Sequence, residues 1–91
     1  MAINAQQSVA IDSRSVAFGN GDNTEIDLGA KSEELLLKTT ASVRLGFDTP
    51  ANADDFLLEV LDRVVRVKGE CTRLYARGES GTGTLYIIVV R

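Results

Sequence analysis

The chain has 91 residues, of which 44% are hydrophobic and 25% are charged, and its formal net charge is −3. These values are typical of one globular domain with a single modest core, and they exclude wholesale disorder. No run approaches the ~20 apolar residues that a membrane-spanning helix needs. The bases stand singly and aromatic residues make up only 5% of the chain, so we expect neither a nucleic acid nor a membrane as a partner.

Residues 1–15, MAINAQQSVAIDSRS, lack the basic segment and apolar run of a secretory signal. The single cysteine, Cys71, cannot form an intramolecular disulfide. We therefore expect synthesis in a cytoplasm.

The first third of the chain differs in charge from the rest. Residues 1–34 carry six acids and two bases, whereas residues 35–91 carry seven acids and eight bases. A strong turn signal, GNGDN, occupies residues 19–23. Two interpretations of residues 1–28 stay open: a pair of weak strands at a sheet edge, or an extended N-terminal arm that becomes ordered on a partner's surface. In the second, residues 29–91 alone form the body.

Two strands are predicted next, in residues 33–40 and 41–48. In the second of these, Val43, Leu45 and Phe47 alternate with polar or small residues, which indicates a half-buried strand. Pro50 ends the pattern because its ring fixes φ and restricts the residue before it.

Residues 54–68, DDFLLEVLDRVVRVK, fit either one helix or two strands. The helix has a capping residue at Asn52 and acids in its first turn. However, its apolar residues surround the whole helical projection, and the valines of residues 64–67 favour a pleated sheet. We favour two strands, with a turn near residues 61–63.

Residues 71–91 predict an antiparallel hairpin, with two β-rich runs around the loop at residues 78–83. The second run, LYIIVV at residues 85–90, is apolar at every position, so either one or both of its faces must be covered. Six to eight such strands predict an all-β fold, a small antiparallel β-sandwich or jelly-roll-like barrel with an extended N-terminal arm.

The residues suggest no catalytic set and no cofactor. Histidine is absent, which removes the commonest general base and the usual zinc ligands. An oxygen cluster at Asp48, Asn52, Asp54 and Asp55 matches no calcium-binding loop and is better explained as turn residues, so no metal is expected. A hydrolase using Asp54 and Asp55 is a minor alternative. Cys71 is interpreted as a small buried hydrophobic residue.

Arg73, Tyr75 and Arg77 alternate along one predicted strand and therefore share one of its sides. An ordinary exposed strand face explains them. Alternatively, they form a protein contact patch, because Tyr and Arg are favoured in interfaces. Phe18 is added to this candidate contact set.

The C-terminal half resembles small virion proteins of tailed bacteriophages. The resemblance lies in residues 43–47, 56–59, 64–67 and 74–88, and its most specific part is the pattern LYxRGxSGTGTLYI. This half of the chain is similar to capsid decoration proteins, also called cement proteins, and to related head and tail components. The first 40 residues carry no part of it.

The resemblance implies a non-enzymatic, homotrimeric β-sandwich protein that binds the major capsid protein or other virion proteins and stiffens the assembled head. It implies a location on the capsid surface of the virion. The alternative is a tail, fibre or head-completion component that acts as a β-sandwich binding module.

Overall fold

The computed structural model describes residues 11–52, 55–60 and 64–91. These residues form eight strands and no helix. The strands are β1 (Ile11–Phe18), β2 (Asn23–Asp27), β3 (Glu34–Thr39), β4 (Val43–Phe47), β5 (Phe56–Leu58), β6 (Val65–Lys68), β7 (Arg73–Gly78) and β8 (Gly83–Val90).

The strands form two four-stranded antiparallel sheets. Sheet I has the order β1-β8-β3-β6, and sheet II has the order β2-β7-β4-β5. Among these strands, β4 and β5 are the only consecutive pair that lies side by side. All other connections between consecutive strands cross from one sheet to the other. This strand order is that of a jelly roll, and the predicted all-β sandwich is confirmed.

One continuous apolar core fills the space between the sheets. Sheet I contributes Phe18 of β1 and the inward side chains of β3 and β8, against which the valines of β1 and β6 also pack. Sheet II contributes the inward side chains of β2, β4, β5 and β7. The central strand of sheet I shows the pattern most clearly, because Leu85, Ile87 and Val89 are each at most 1% exposed. The predicted core strand is therefore confirmed for its inward face.

The predicted hairpin of residues 71–91 is wrong. Both edges of β7 are occupied by β2 and β4, and both edges of β8 by β1 and β3. The intervening residues 79–82 cross between the sheets instead of joining two neighbours, because the separation of ~10 Å lies within the reach of a four-residue connection. Glycine is needed where this connection meets the β1–β2 loop: a Cβ on Gly78 would collide with the carbonyl oxygens of Gly81 and Gly19.

Residues 11–28 belong to the body of the sandwich. β1 is an edge strand of sheet I, β2 is an edge strand of sheet II, and Leu28 is fully buried. Arg14 ties the two edges together, since its guanidinium donates to the carbonyl oxygens of Asp27 at 2.5 Å and of Leu28 at 3.2 Å. The edge-strand interpretation thus describes residues 11–27, and any arm is confined to residues 1–10, which lie outside the described residues.

The strand interpretation of residues 54–68 is confirmed in its described part by β5 and β6. The turn predicted near residues 61–63 lies outside the described residues. The helix alternative fails because Leu58 and Val67 reach the core from two different sheets.

The β4–β5 loop folds back over the outside of sheet II. Asn23 at the start of β2 holds it through a reciprocal pair of hydrogen bonds: its Nδ2 donates to the carbonyl of Ala51, and its Oδ1 accepts from the Ala51 N–H, both at 2.9 Å. Under this loop lies Gly46, whose hypothetical Cβ would fall 2.8 Å from the backbone nitrogen of Ala51 and still closer to the carbonyl oxygen of Thr49. Only glycine lets the loop lie this close to β4.

The same loop is fixed at its start by Asp48, which has a left-handed backbone with φ of 64°. Its Oδ1 accepts hydrogen bonds from the backbone N–H groups of Thr72, at 2.8 Å, and Arg73, at 3.0 Å. These bonds hold the pKa of Asp48 below its ordinary value of 3.8. The Asp48 carboxylate therefore joins the end of β4 to the start of β7.

We expect Gly46→Ala to lower the free energy of unfolding by about 1–3 kcal/mol, because the new methyl group must displace backbone atoms of the loop. Urea denaturation followed by circular dichroism measures this. Gly81→Ala is the matched control, since a Cβ there meets nothing within 4 Å, and it should change stability by less than about 0.5 kcal/mol. Equal effects of the two substitutions would contradict the close packing at Gly46.

We expect the fold to lose stability as the pH falls below about 4, in part through Asp48. A carboxyl group whose pKa is lower in the folded chain than in the unfolded chain stabilises the fold while it is ionised, and this contribution disappears as the pH falls through the folded-state pKa. Asn tolerates the left-handed backbone but does not ionise. The stability of Asp48→Asn should therefore fall less steeply than that of the wild-type chain as the pH is lowered. Melting temperatures between about pH 6 and pH 2 measure this. An equally steep decline in Asp48→Asn and in the wild-type chain would contradict this role of Asp48.

Candidate interaction surface

The outer face of sheet II carries three of the four predicted contact residues. Arg73, Tyr75 and Arg77 lie on it side by side, as their spacing predicts. Tyr75 stands opposite Glu25 on β2 and opposite Gly46 on β4. Because the β4–β5 loop passes over Gly46, Tyr75 is only partly exposed.

The arginines of this face are bonded within the chain. Arg73 forms an ion pair with Glu25 at 2.8 Å, and Arg77 Nε donates to the carbonyl oxygen of Gly21 at 3.1 Å. Arg44 on the neighbouring strand binds Glu79 at 2.9 Å. A partner on this face would therefore have to compete with intramolecular bonds, and the contact role of Arg73, Tyr75 and Arg77 stays a prediction.

Arg44 bonds to two separate segments of the chain. Its guanidinium donates to both carboxylate oxygens of Glu79 and to the carbonyl oxygen of Asp55. The hydrogen bond from Arg44 holds the pKa of Glu79 below its ordinary value of 4.5. The bonds join the β7–β8 crossing to the β4–β5 loop, so this face is organised by the chain itself.

Phe18, the fourth predicted contact residue, lies in the core. Its side chain is 3% exposed, and its ring would contact a Cβ placed on Gly83, its register partner on β8. The prediction of a surface role for Phe18 is corrected for this reason: it is the last residue of β1 and faces inward, where it closes one end of the core.

The outer face of sheet I is different because it carries a cluster of apolar side chains between polar ones. Cross-strand register places Ser13, Ile88, Leu36 and Arg66 in one row, and Ser15, Tyr86 and Lys38 in the next. We call the cluster formed by Leu36, Val64, Tyr86 and Ile88 the apolar face. Tyr86 is 48% exposed and Val64 is 51% exposed. A shallow groove of about 180 Å³ runs between these side chains.

The charges around the apolar face are mostly basic. Arg66 Nε lies 2.6 Å from Glu34 Oε2, so these two residues form an ion pair. Lys38 stands directly beside Tyr86 and is exposed, as is Lys68 at the end of β6. Within the part of the chain that the structure describes, neither lysine has a charged or hydrogen-bonding side-chain partner.

A second concavity, of about 160 Å³, opens at the end of the sandwich. Leu35, Phe47, Val67 and Cys71 form its apolar walls, and Lys68 and Glu70 lie at its rim. The Cys71 side chain is 4% exposed, and its Sγ lies 3.5 Å from the hydroxyl oxygen of Ser32. Burial raises the pKa of the Cys71 thiol, which therefore stays protonated and weakly nucleophilic near neutral pH.

The predicted oxygen cluster forms a turn in its described part. Asp48 accepts hydrogen bonds from the start of β7, and Asp55 Oδ2 accepts one from the Asn52 N–H at 2.9 Å. Asp54 lies outside the described residues. Within residues 11–52, 55–60 and 64–91, no three acidic or sulfur-bearing side chains converge in a way that could hold a metal ion.

Sequence reasoning did not single out the apolar face, although the signal was present. Residues 85–90 are apolar at both odd and even positions, whereas a strand that is covered on one side only alternates with polar residues. The odd residues fill the core, which leaves Tyr86 and Ile88 outside. Leu36 has the same relation to its buried neighbours Leu35 and Leu37.

No protein-family model matches the chain, and no curated protein and no solved structure matches it either. Among the described residues, no helix is long and apolar enough to cross a membrane.

We expect Cys71 to resist modification in the folded chain, because its thiol is buried and held in the protonated form. Ellman's reagent should react on the order of 100-fold more slowly at neutral pH than it does with the chain unfolded in guanidinium chloride. The unfolded chain is the internal control for a single accessible thiol. Comparable rates in the two states would show that Cys71 is reached through the neighbouring concavity.

Proposed function

We propose that this chain is a non-enzymatic structural protein of a phage virion, a decoration protein that binds and stabilises the assembled head. The observation that carries the proposal is the apolar face. An antiparallel sheet that faces water is normally polar on that side, whereas sheet I presents Leu36, Tyr86 and Ile88 in adjoining rows. Tyr86 and Val64 of this cluster are exposed, and Leu36 and Ile88 are partly exposed. A contiguous apolar patch at the surface indicates a protein contact.

The shape of this surface supports a macromolecular partner. The apolar face extends over β8, β3 and the start of β6, and its groove is shallow and open. Small-molecule sites are typically enclosed clefts of about 300–1,000 Å³. A flat surface of this kind is suited to another flat protein surface, such as that of a capsid.

The fold also supports the proposal, by analogy. Jelly rolls are common in viral capsid proteins, although the same architecture serves lectins and other domains. The resemblance of residues 74–88 to virion proteins supports the same class. Most of that pattern lies on β7 and β8, each of which is one of the two inner strands of its sheet and contributes to that sheet's outer face.

The mechanism follows from mass action. A subunit that binds only the assembled lattice stabilises that lattice by its binding free energy, and an oligomer gains further affinity through avidity. Binding through an apolar surface leaves the rest of the domain free to project outward. In this mechanism any arm consists of residues 1–10, because residues 11–27 are strands of the body.

A tail or fibre module that recognises a glycan is the second candidate. It is favoured by two half-exposed aromatic rings, Tyr86 and Phe56, each of which is 48% exposed. Aromatic rings can pack against the apolar faces of sugars while their edges stay in water. The two rings lie on different sheets, so they would form two separate contacts and not one platform.

We expect the purified chain to co-sediment with expanded heads of the phage that encodes it and not with unassembled capsid protein. Tyr86→Ser should weaken this binding by on the order of tenfold or more, because it removes the most prominent ring of the apolar face. Tyr75→Ser, on the outer face of sheet II, is the matched control and should bind normally.

Failure of the wild-type chain to bind expanded heads would overturn the decoration role. If Tyr75→Ser abolished binding while Tyr86→Ser did not, the contact would lie on sheet II. Saturable binding to a glycan array that Tyr86→Ser removes, without binding to heads, would favour the second candidate.

A further inference from the structure

The β1–β2 loop contains a chemically reactive pair of residues. Asn20 and Gly21 form the only Asn-Gly pair in the 91-residue sequence. In such a pair the backbone nitrogen of the glycine can attack the side-chain amide carbon of the asparagine. A succinimide ring closes, and the amide nitrogen leaves as ammonia with the proton of the glycine N–H. Water then opens the ring to aspartate or isoaspartate. Glycine favours this reaction because it has no side chain to obstruct the approach.

The structure leaves these two residues open to solvent. Asn20 is exposed, as are Gly21 and Asp22 after it. A Cβ placed on Gly21 would meet nothing within 4 Å. Water and hydroxide can therefore reach the reacting groups, and crowding by neighbouring side chains does not protect them.

The backbone on both sides of Asn20 is instead held by one residue of β7. The N–H of Gly78 donates to the carbonyl oxygen of Gly19 at 2.8 Å, and the carbonyl oxygen of Gly78 accepts from the Gly21 N–H at 3.0 Å. The two bonds make Asn20 and Gly78 an isolated parallel bridge. We call this pair of bonds the Gly78 clamp.

The Gly78 clamp opposes the two changes that the reaction requires. The nitrogen of Gly21 must lose its proton, and its peptide group must turn about ψ of Asn20 so that the nitrogen faces the side-chain carbon. While the Gly21 N–H is bonded to Gly78, the proton is engaged and the peptide group is held. The bond to Gly19 fixes the preceding peptide group, so the backbone cannot compensate by turning about φ of Asn20.

Gly78 is itself held within sheet II. It is the last residue of β7, it is buried, and it pairs with Val43 on β4. A Cβ on Gly78 would fall 2.5 Å from the carbonyl oxygen of Gly19 and still closer to that of Gly81. Only glycine lets the β1–β2 loop come this close, so the Gly78 clamp joins a reactive loop to an ordered strand.

We propose that Asn20 is a deamidation site whose reaction is controlled by the Gly78 clamp, so that it proceeds only when the β1–β2 loop separates from Gly78. Isoaspartate adds one carbon to the backbone between the two bonds of the clamp, and the reacted loop cannot form both bonds again. Loss of ammonia makes the change irreversible. The inference is independent of the decoration role, because it involves neither the apolar face nor a partner.

The first test compares the folded chain with the chain unfolded in guanidinium chloride, both at the same mildly alkaline pH. Trypsin releases residues 15–31 as one peptide, since cleavage follows Arg14 and Lys31, and mass spectrometry detects deamidation as a gain of one mass unit. We expect Asn20 to react at least about tenfold more slowly in the folded chain, because only the opened fraction reacts. Equal rates in the two states would overturn the inference.

Asn23 is the internal control because it lies in the same peptide. Its side chain is bonded to the backbone of Ala51 at both its nitrogen and its oxygen, and the side chain of Thr24 obstructs the attack. Fragmentation of the peptide distinguishes the two asparagines. Asn23 should stay unreacted in the folded chain, and deamidation there in place of Asn20 would overturn the assignment of the site.

The second test opens the Gly78 clamp by substitution. Gly78→Ala places a methyl group against the carbonyl oxygen of Gly19, so Asn20 should deamidate at least about threefold faster than in the wild-type chain. Gly81→Ala is the matched control, since a Cβ there meets nothing within 4 Å, and it should leave the rate unchanged. Circular dichroism confirms that each variant is folded. A folded Gly78→Ala chain that deamidates at the wild-type rate would overturn the control by the clamp.

Hydrogen exchange of the wild-type chain decides the same question if Gly78→Ala does not fold. The Gly21 amide is bonded to Gly78 only while the loop is closed, so its exchange with solvent, followed by NMR, measures the opening. Slow exchange together with slow deamidation supports the inference. Unprotected exchange at Gly21 together with slow deamidation would overturn it, because the loop would then open without reaction.

Discussion

The structure depends on burying β8 in the middle of sheet I. Its inward residues Leu85, Ile87 and Val89 pack into the core, and burial of side chains of this size contributes roughly 1.5–3 kcal/mol each. Since β1 and β3 both pair with β8 along its length, sheet I has no continuous structure without it. The same strand carries Tyr86 and Ile88 outward, so the strand that stabilises the fold also carries part of the surface proposed to bind a partner.

The outer face of sheet II differs from that of sheet I because a loop of the chain lies over it. There the β4–β5 loop lies against Gly46, Asn23 holds the loop as a neighbouring strand would, and Arg44 joins it to Glu79. The outer face of sheet II is thus partly covered by its own chain, whereas the outer face of sheet I carries an apolar cluster. This asymmetry distinguishes the two sides of a fold whose sheets have equal numbers of described strands.

Much of the fold could be predicted from local patterns. The alternation of Val43, Leu45 and Phe47, the valines near residue 65, and the continuous apolar run at residues 85–90 predicted strands in the right places. The partners of those strands could not be predicted in this way. Glycines at 78, 81 and 83 look the same in a hairpin and in a crossing between sheets, and the choice is made by which distant strands share the core.

Local sequence patterns were equally insufficient to predict the candidate surface. Arg73, Tyr75 and Arg77 were found because Tyr and Arg are typical of interfaces, but their bonds to Glu25 and Gly21 depend on strands remote in sequence. Phe18 was misplaced because a single aromatic residue beside a turn gives no sign of which way it faces. To predict the apolar face, one must know that Leu36 and Ile88 are neighbours. They are 52 positions apart in the sequence but adjacent in register.

The pairing of β1 with β8 also affects how the chain acquires its structure. These are the first and last of the described strands, and β8 is the central strand on which sheet I is assembled. During synthesis, β1 and β3 are made before the strand that joins them, so sheet I stays incomplete until β8 has been made. Closing such distant pairs is slow because the entropy of a long loop is lost before the contacts form. Folding of this domain therefore awaits its last strand, and until then the inner edges of β1 and β3 are open to aggregation.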